Sequence, residues 1–487
     1  AAVSGVGLDA ARACADNALS ARRQTRTGGS RTLTTLPACI KAYDIRGRIP
    51  EDLDADLARR LGRALASHVG AGTLAVGRDC RTSSPSLADA VAAGLAEGGC
   101  EVRDIGLCAT EQVYHAVIAR GLAGGVMVTA SHNPLGWNGM KIVAADAVPI
   151  SGDSGLHAIG RAAVAGDLPA AAVPGRITPL DTRGEYRDFL LGCVDAAALP
   201  ALTVVADAGH GCAGPVLDLL EPHLPLKLIK LRHEPDGTFP TGVPNPLLPE
   251  NRALTSAAVR EHGADLGLAW DGDADRCFFF DERGDFVEGY YLVGLLARAA
   301  LRREPGGRIV HDPRLVWNTV ETVREAGGVP LQNKTGHAFM KERMRAEDAV
   351  YGGEMSAHHY FREFRWCDSG MLPWLRVLEE MGRTGAPLSA LVGRMQGAYP
   401  ASGEINRRLA DPQRAVAAVA ERWLAGAAAV DRTDGLSLDL GMWRLNLRES
   451  NTEPVLRLNV EARGDAALMR EMTEAVLAVI DGAGGAP

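Results

Sequence analysis

Two hydrophobic periods share this chain, and the places where one gives way to the other mark out its domains. Apolar side chains recur at helical spacing over 53–69 and again over 86–98, which predicts helices with one buried face. Around them lie short apolar runs bounded by glycine or polar residues: Thr73–Gly77, Gly124–Val128, Leu202–Ala206, Leu266–Trp270, Cys277–Asp281 and Ala349–Tyr351. Such runs predict strands covered on both faces, and strands that take turns with helices predict α/β sheets. From about residue 398 the pattern changes. Asp411-Pro412 has the form of an N-cap and first turn, with Val416, Val419 and Trp423 as an apolar stripe behind it. Trp443, Leu445 and Leu447 alternate with Arg444, Asn446 and Arg448, then Leu456, Leu458 and Val460 keep the same period, and a last helix carries Leu468, Met472, Val476 and Val479. This predicts a small α+β unit with a mostly antiparallel sheet.

The expected units are α/β domains over 38–182, 183–285 and 286–397 and an α+β domain over 398–487. Residues 1–37 stand apart. They are rich in Ala, Arg, Ser, Thr and Gly, with four arginines between Arg22 and Arg31, and are expected to be a disordered extension rather than a targeting segment.

Composition removes several function classes. The chain of 487 residues is 46% apolar and 23% charged, with a net charge of -8, which speaks against nucleic acid or an anionic membrane as partner. No apolar run approaches a membrane span. Nine cysteines without a C-x-x-C pair suit reduced thiols, so a cytoplasmic protein is expected.

Chemistry gathers in the loops that follow strands. Thr129-Ala-Ser-His-Asn-Pro134 places Ser131 after Gly124–Val128, and Lys141 follows ten positions on, past two glycines. Adjacent side chains on extended backbone point apart, so Ser131 and His132 alone are weak evidence for a nucleophile and its base. Asp271-Gly-Asp-Ala-Asp-Arg276, between apolar strands, brings three carboxylates together, and a hard divalent cation is their natural partner. An EF-hand is excluded, because Arg276 stands where that loop requires glycine. Arg314, Lys334 and His337 offer donors suited to phosphate, while Glu354 and Ser356 offer acceptors suited to sugar hydroxyls. His358 and His359 lack ligand spacing and read as hydrogen-bonding loop residues. Arg448-Glu-Ser-Asn-Thr-Glu-Pro454 joins a guanidinium to hydroxyls and an amide, which equips it for a phosphate monoester or for an ordinary hairpin.

Taken in order, the loops containing Ser131, Asp271, Glu354 (Gly353-Glu-Met-Ser-Ala-His358) and Arg448 resemble those of the α-D-phosphohexomutase superfamily. Met355 and Asn451 resemble its bacterial phosphomannomutase/phosphoglucomutase branch more than the phosphoglucosamine mutases, while Ala357 departs from a common glycine. The resemblance implies a heart-shaped protein of three similar mixed α/β domains and a TATA-box-binding-protein-like α+β fourth domain around a central cleft. It implies a monomer that moves phosphate between O1 and O6 of mannose or glucose phosphates through a hexose 1,6-bisphosphate. Ser131 would carry the phosphoryl group, and Asp271, Asp273 and Asp275 would hold Mg2+ together with that phosphate. Lys141, Arg46 and His337 would assist catalysis, with Arg276 and Mg2+ expected to depress the pKa of Lys141. Tyr43, Arg276, Arg314, Lys334, Glu354, Ser356 and His358 would contact the sugar phosphate, and Arg448, Ser450, Asn451 and Thr452 the phosphate that is not reacting. A phosphoglucosamine mutase, a sugar-phosphate phosphatase and a non-catalytic binder are the alternatives.

Overall fold

The computed structural model describes residues 36–166, 168–449 and 455–485. The expected N-terminal extension therefore falls, up to residue 35, outside the described residues, as do Ser450, Asn451 and Thr452.

Four sheets follow one another along the chain. The first has six strands in the order Ile45–Arg48, Trp137–Ala144, Gly124–Val128, Thr73–Arg78, Glu101–Leu107 and Ile177–Pro179. Its central strands are parallel, and Trp137–Ala144 runs antiparallel to both of its neighbours. The second is ordered Phe286–Val287, Cys277–Phe280, Leu266–Trp270, Leu202–Asp207, Leu226–Leu231, and the third Val329–Gln332, Arg308–His311, Tyr351–Gly353, His359–Phe361, Cys367–Asp368. Both are mixed, each ending in an antiparallel hairpin. The helices obey their sequence signals: Asp54 caps Ala55–Val69 through Leu57 N at 2.8 Å, and Asp411 caps Pro412–Trp423 through Arg414 N at 2.9 Å.

The fourth sheet is antiparallel throughout, in the order Ile405–Arg407, Leu456–Ala462, Trp443–Glu449, Leu436–Asp439, Ala429–Asp431. Its apolar set, Leu445, Leu447, Leu458 and Val460, is fully buried in the core that Val419, Val476 and Ile480 share from two helices. The polar set is buried as well. Arg444 donates to the carbonyls of Arg314 (2.8 Å) and Pro313 (3.0 Å) and to Glu461 (2.9 Å), and Glu461 accepts from Val316 N at 2.8 Å. Alternation thus separates two dry faces, one for the domain core and one for the seam with the third domain.

The first three domains share a continuous apolar cluster reaching from Val113 and Tyr114 through Leu217 and Trp270 to Tyr351 and Trp374. The helix Thr110–Ala119 runs through it, which explains why its amphipathic signal is weak. Its first turn bridges all three domains: Thr110 N donates to the Asp273 carbonyl at 3.0 Å, and Met371 N donates to Glu111 Oε1 at 3.1 Å. Among the described residues no helix is long and apolar enough to cross a membrane.

Burial pushes the Glu111 carboxyl up to about 8, despite nearby Ser369 and Tyr186 hydroxyls and the Met371 N–H, which favour its charged form. With the folded value above the ordinary 4.5, the contribution of this group to stability is fully present below about 4.5 and is lost as the pH climbs through 8. Glu111→Gln is therefore expected to melt close to the wild type at pH 5 and above it at pH 8, the gain being on the order of a few kcal/mol. Paired thermal melts across that range check it, and a difference that does not grow with pH would contradict the buried, protonated carboxyl.

Candidate active site

The serine loop owes its shape to a left-handed residue and a buried guanidinium. Ser131 has a φ of 48°, and its N–H donates to Thr129 Oγ1 at 2.8 Å. Arg81, 3% exposed, donates to the carbonyls of Ser131 (2.8 Å), Asn133 (2.6 Å), Pro134 (3.1 Å) and Trp137 (3.1 Å), so one side chain gathers the whole turn. The Pro- and Gly-rich loop 236–246 covers this support, with the Phe239 ring 5.4 Å from the Arg81 guanidinium. The left-handed backbone also brings adjacent side chains together, Ser131 Oγ lying 3.1 Å from His132 Nδ1, contrary to the divergence expected of extended chain. Arg276 also approaches that ring nitrogen, so the pair is no isolated nucleophile and base.

Ser131 Oγ donates to Asp271 Oδ2 at 2.6 Å, joining the serine loop to the acidic loop of the second domain. Gly272 permits this approach, because a Cβ there would lie 2.6 Å from the Ser131 carbonyl oxygen. Asp271, Asp273 and Asp275 are at most 2% exposed, and one oxygen from each lies within 4.8 Å of the others. Lys141 Nζ donates to Asp273 Oδ2 at 2.7 Å and to Asp275 Oδ2, Thr110 Oγ1 donates to Asp273 Oδ2 at 2.6 Å, and Arg276 grips Asp271 Oδ2 through Nε (3.0 Å) and Nη2 (2.8 Å). Even so, Asp273 Oδ1 and Asp275 Oδ1 are buried without a hydrogen-bond partner. An all-oxygen cluster with two orphaned carboxylate oxygens fits a hard divalent cation.

Electrostatics divides this cluster. Burial and the neighbouring Asp275 and Asp273 lift Asp271 to about 7 despite Arg276, whereas Asp273 and Asp275 are held below the usual range against their burial, the first by Lys141 with Thr110 and the second by Lys141 with Arg276. Lys141 itself would be depressed by burial, but Asp273 and Asp275 hold it above its ordinary value. The depression expected from Mg2+ and Arg276 is therefore not produced by the protein groups alone: among those packed round the ammonium, the two carboxylates outweigh burial and Arg46.

Around this centre the expected substrate residues take up positions. Arg46, on the edge strand paired with Gly139, donates to Asp44 at 2.8 Å and to Asn133 Oδ1 at 3.0 Å. Tyr43 meets His337 edge to face, with ring centres 4.9 Å apart. Burial, aided by Lys341 and Lys141, lowers His337 to about 3, and both of its ring nitrogens are buried without a partner. Glu354 is 2% exposed, accepting from Tyr360 OH at 2.5 Å and Gly336 N at 3.0 Å. Ser356 Oγ accepts from Arg314 Nη2 at 3.2 Å and lies 3.3 Å from His358 Nδ1. Between them Ala357 has a φ of 69°, the conformation in which glycine has no Cβ to strain, so its departure from the common glycine is a local backbone cost rather than a different loop. Arg448 reaches Glu404 at 3.3 Å. Lys334 is exposed, its ammonium 3.4 Å from the Phe339 ring centre.

Arg81, Thr110 and Glu404 are the polar supports that reading the chain missed. Arg81 carried a faint signal, a charged residue just after a strand, but its partners lie some fifty residues on. A second buried ion pair, Lys341 Nζ with Asp368 Oδ1 at 2.6 Å, lies next to this site, and one atom each of Asp275, His358 and Asp368 lies within 4.8 Å of the others.

Comparison with known proteins agrees with this geometry. Models of phosphoglucomutase/phosphomannomutase α/β/α domains I, II and III match residues 38–165, 184–284 and 288–399, and that of the C-terminal domain matches 404–479. A phosphohexose mutase of Xanthomonas campestris is 56% identical over 449 residues, covering 92% of this chain and all of its own. A phosphomannomutase of Salmonella typhimurium is 54% identical over 450 residues, covering 91% of this chain and 99% of its own. The crystal structure of a phosphoglucomutase/phosphomannomutase family protein from Burkholderia thailandensis superimposes with a TM-score of 0.81 at 34% identity, covering 91% of this chain and 98% of its own. The chain therefore belongs to the phosphoglucomutase/phosphomannomutase family of phosphohexose mutases, which are isomerases.

Proposed function

We propose that this chain transfers phosphate reversibly between O1 and O6 of mannose or glucose phosphates, with Ser131 as the phosphoryl carrier and a hexose 1,6-bisphosphate as the intermediate. The contact that carries this reading is the 2.6 Å hydrogen bond from Ser131 Oγ to Asp271, inside a buried cluster of three carboxylates and two cations. Phosphoryl transfer depends mainly on alignment and charge neutralisation, and this arrangement supplies both.

In this reading Arg81 and Thr129 fix the serine turn, and the Asp271 hydrogen bond sets the direction of Ser131 Oγ. Asp271, Asp273 and Asp275 would hold Mg2+, which when bound neutralises charge on the transferring group. Lys141 carries an ammonium into the same place and stabilises the equatorial phosphoryl oxygens; its use as a proton donor begins from a charged state. Arg276 and Arg46 add fixed positive charge beside the serine. Neutral His337, with an unengaged donor and acceptor, is suited to exchange a proton with a sugar hydroxyl. Glu354 keeps lone pairs free for sugar hydroxyls, and Arg314, Ser356 and His358 complete that wall. Arg448, with Ser450, Asn451 and Thr452 that follow it in the sequence, would hold the phosphate that is not reacting.

Glucose 1-phosphate or mannose 1-phosphate, supplied with Mg2+ and a trace of hexose 1,6-bisphosphate, is expected to yield the 6-phosphate in a coupled assay without release of inorganic phosphate. Stoichiometric free phosphate would instead identify a phosphatase. Ser131→Ala is expected to lose at least about 10³-fold in turnover while calorimetry still detects the sugar phosphate. Lys141→Met is expected to lose roughly 10²-fold in kcat with Mg2+ still bound, and an unchanged kcat removes Lys141 from the transfer step. Stripping divalent ions with EDTA is expected to abolish turnover and lower the melting temperature, and Mg2+ to restore both; a melting temperature blind to Mg2+ would contradict the aspartate site.

A further inference from the structure

A buried carboxylate outside all four motifs lies where the third and fourth domains meet. Glu404 follows Gly403, whose φ of 69° turns the chain into the edge strand Ile405–Arg407. Asn459 Nδ2 pins that turn, donating to the Gly403 carbonyl at 2.9 Å. The Glu404 side chain is 3% exposed and faces three guanidiniums: Arg314 Nη1 at 3.2 Å, Arg448 Nη2 at 3.3 Å and Arg457 Nη1 at 3.4 Å. Arg314 and Arg448 share the same oxygen, Oε2. Ion-pair hydrogen bonds usually close to about 2.7–2.9 Å, so a single carboxylate is here stretched among three cations. At the same time the Nε groups of Arg314 and Arg448 are buried with no acceptor. Arg314 has a second, tighter partner in Asp312 at 2.7 Å, whereas among the described residues Arg448 is paired with Glu404. Buried guanidinium donors left open mark a place that an added anion would complete.

We propose that Glu404 is a positioning residue that stands in for the phosphate of the substrate when the cleft is empty. It keeps Arg314, Arg448 and Arg457 converged, yields Arg448 to an arriving phosphate dianion, and recovers it when that phosphate leaves. This rests on the reading of Arg448 as the grip on the non-reacting phosphate. The physical gain is in release. A bisphosphate intermediate must free one phosphate and present the other, and an arginine cluster without an internal anion would retain a dianion too firmly. The Glu404 charge both competes for Arg448 and repels the phosphate, so it weakens the grip without dispersing the guanidiniums.

The test compares Glu404→Gln, Glu404→Asp and Arg448→Ala in steady-state conversion of glucose 1-phosphate, with calorimetric binding of glucose 6-phosphate measured in a Ser131→Ala background. Glu404→Gln is expected to lower KM and Kd about threefold to tenfold and to lower kcat by a similar factor, because release slows. Glu404→Asp keeps the charge but shortens its reach, and should fall between the wild type and Gln; it also answers the question if the Gln variant folds poorly. A purely structural residue would instead raise KM when altered, so an unchanged or raised KM in both Glu404 variants overturns the proposal. Arg448→Ala is expected to raise KM for the sugar phosphate. An unchanged KM there overturns the grip itself, and the Glu404 role with it, which separates the two failures.

Discussion

Three aspartates with almost no access to solvent cannot share a cavity unless cations come with them, and the way this chain meets that demand fixes its central geometry. Carboxylates a few ångströms apart at low dielectric repel strongly. The compensating charge comes from two directions: Arg276 is local, five residues beyond Asp271, while Lys141 arrives from the first domain, more than 130 residues away. Balancing the second domain's acids thus requires docking the first, and docking brings in Ser131. The glycine at 272 allows the last approach, and Thr110 seals the joint from the helix that the first three domains enclose. The site and the domain interface are therefore one electrostatic object, and the apolar core around it keeps the dielectric low.

This also explains what could be read from the chain and what could not. The strands that precede each loop, the capped helices and the alternating fourth sheet follow from local periodicity, and Ser131, Asp271, Glu354 and Arg448 were visible because each sits in a short, polar, strand-terminating motif. Arg81 was not, since its meaning lies in four carbonyls of a distant turn. Glu111 was hidden because a glutamate opening a helix looks solvated until a third domain covers it. Lys141 stands ten positions past Ser131 in the chain, but the two carboxylates that face its ammonium and hold it above its ordinary value emerge only in three dimensions. Likewise the alternation of Arg444, Asn446 and Arg448 with leucines and tryptophan separated two faces without revealing that Arg444, on the polar one, reaches the third domain.

The seam between the third and fourth domains shows the same logic in milder form. Arg444 and Glu461 form a buried pair that spends most of its remaining hydrogen bonds on backbone, capturing Pro313, Arg314 and Val316. The segment so held is the one that carries Arg314 to Ser356. Buried ion pairs contribute little net stability once desolvation is counted, and here the pair acts by registering one domain against another. The orientation of Arg314 toward Ser356 is then a consequence of where the fourth domain docks.

A common property runs through these clusters: their buried cations are largely held by internal anions. Lys141 is held by Asp273 and Asp275, Arg46 by Asp44, Arg314 by Asp312 and Glu404, and Arg448 by Glu404. Binding a sugar phosphate is then an exchange of one acceptor for another rather than the neutralisation of bare charge, so much of the Coulomb gain is cancelled by contacts given up. For an enzyme that captures its ligand once, such cancellation would be a loss. For a phosphohexose mutase it is an advantage, because the sugar phosphate has to be released as readily as it is bound. Internal anions compensate the buried cations of the unliganded protein and limit the grip on a sugar phosphate, so one set of ion pairs serves both ends.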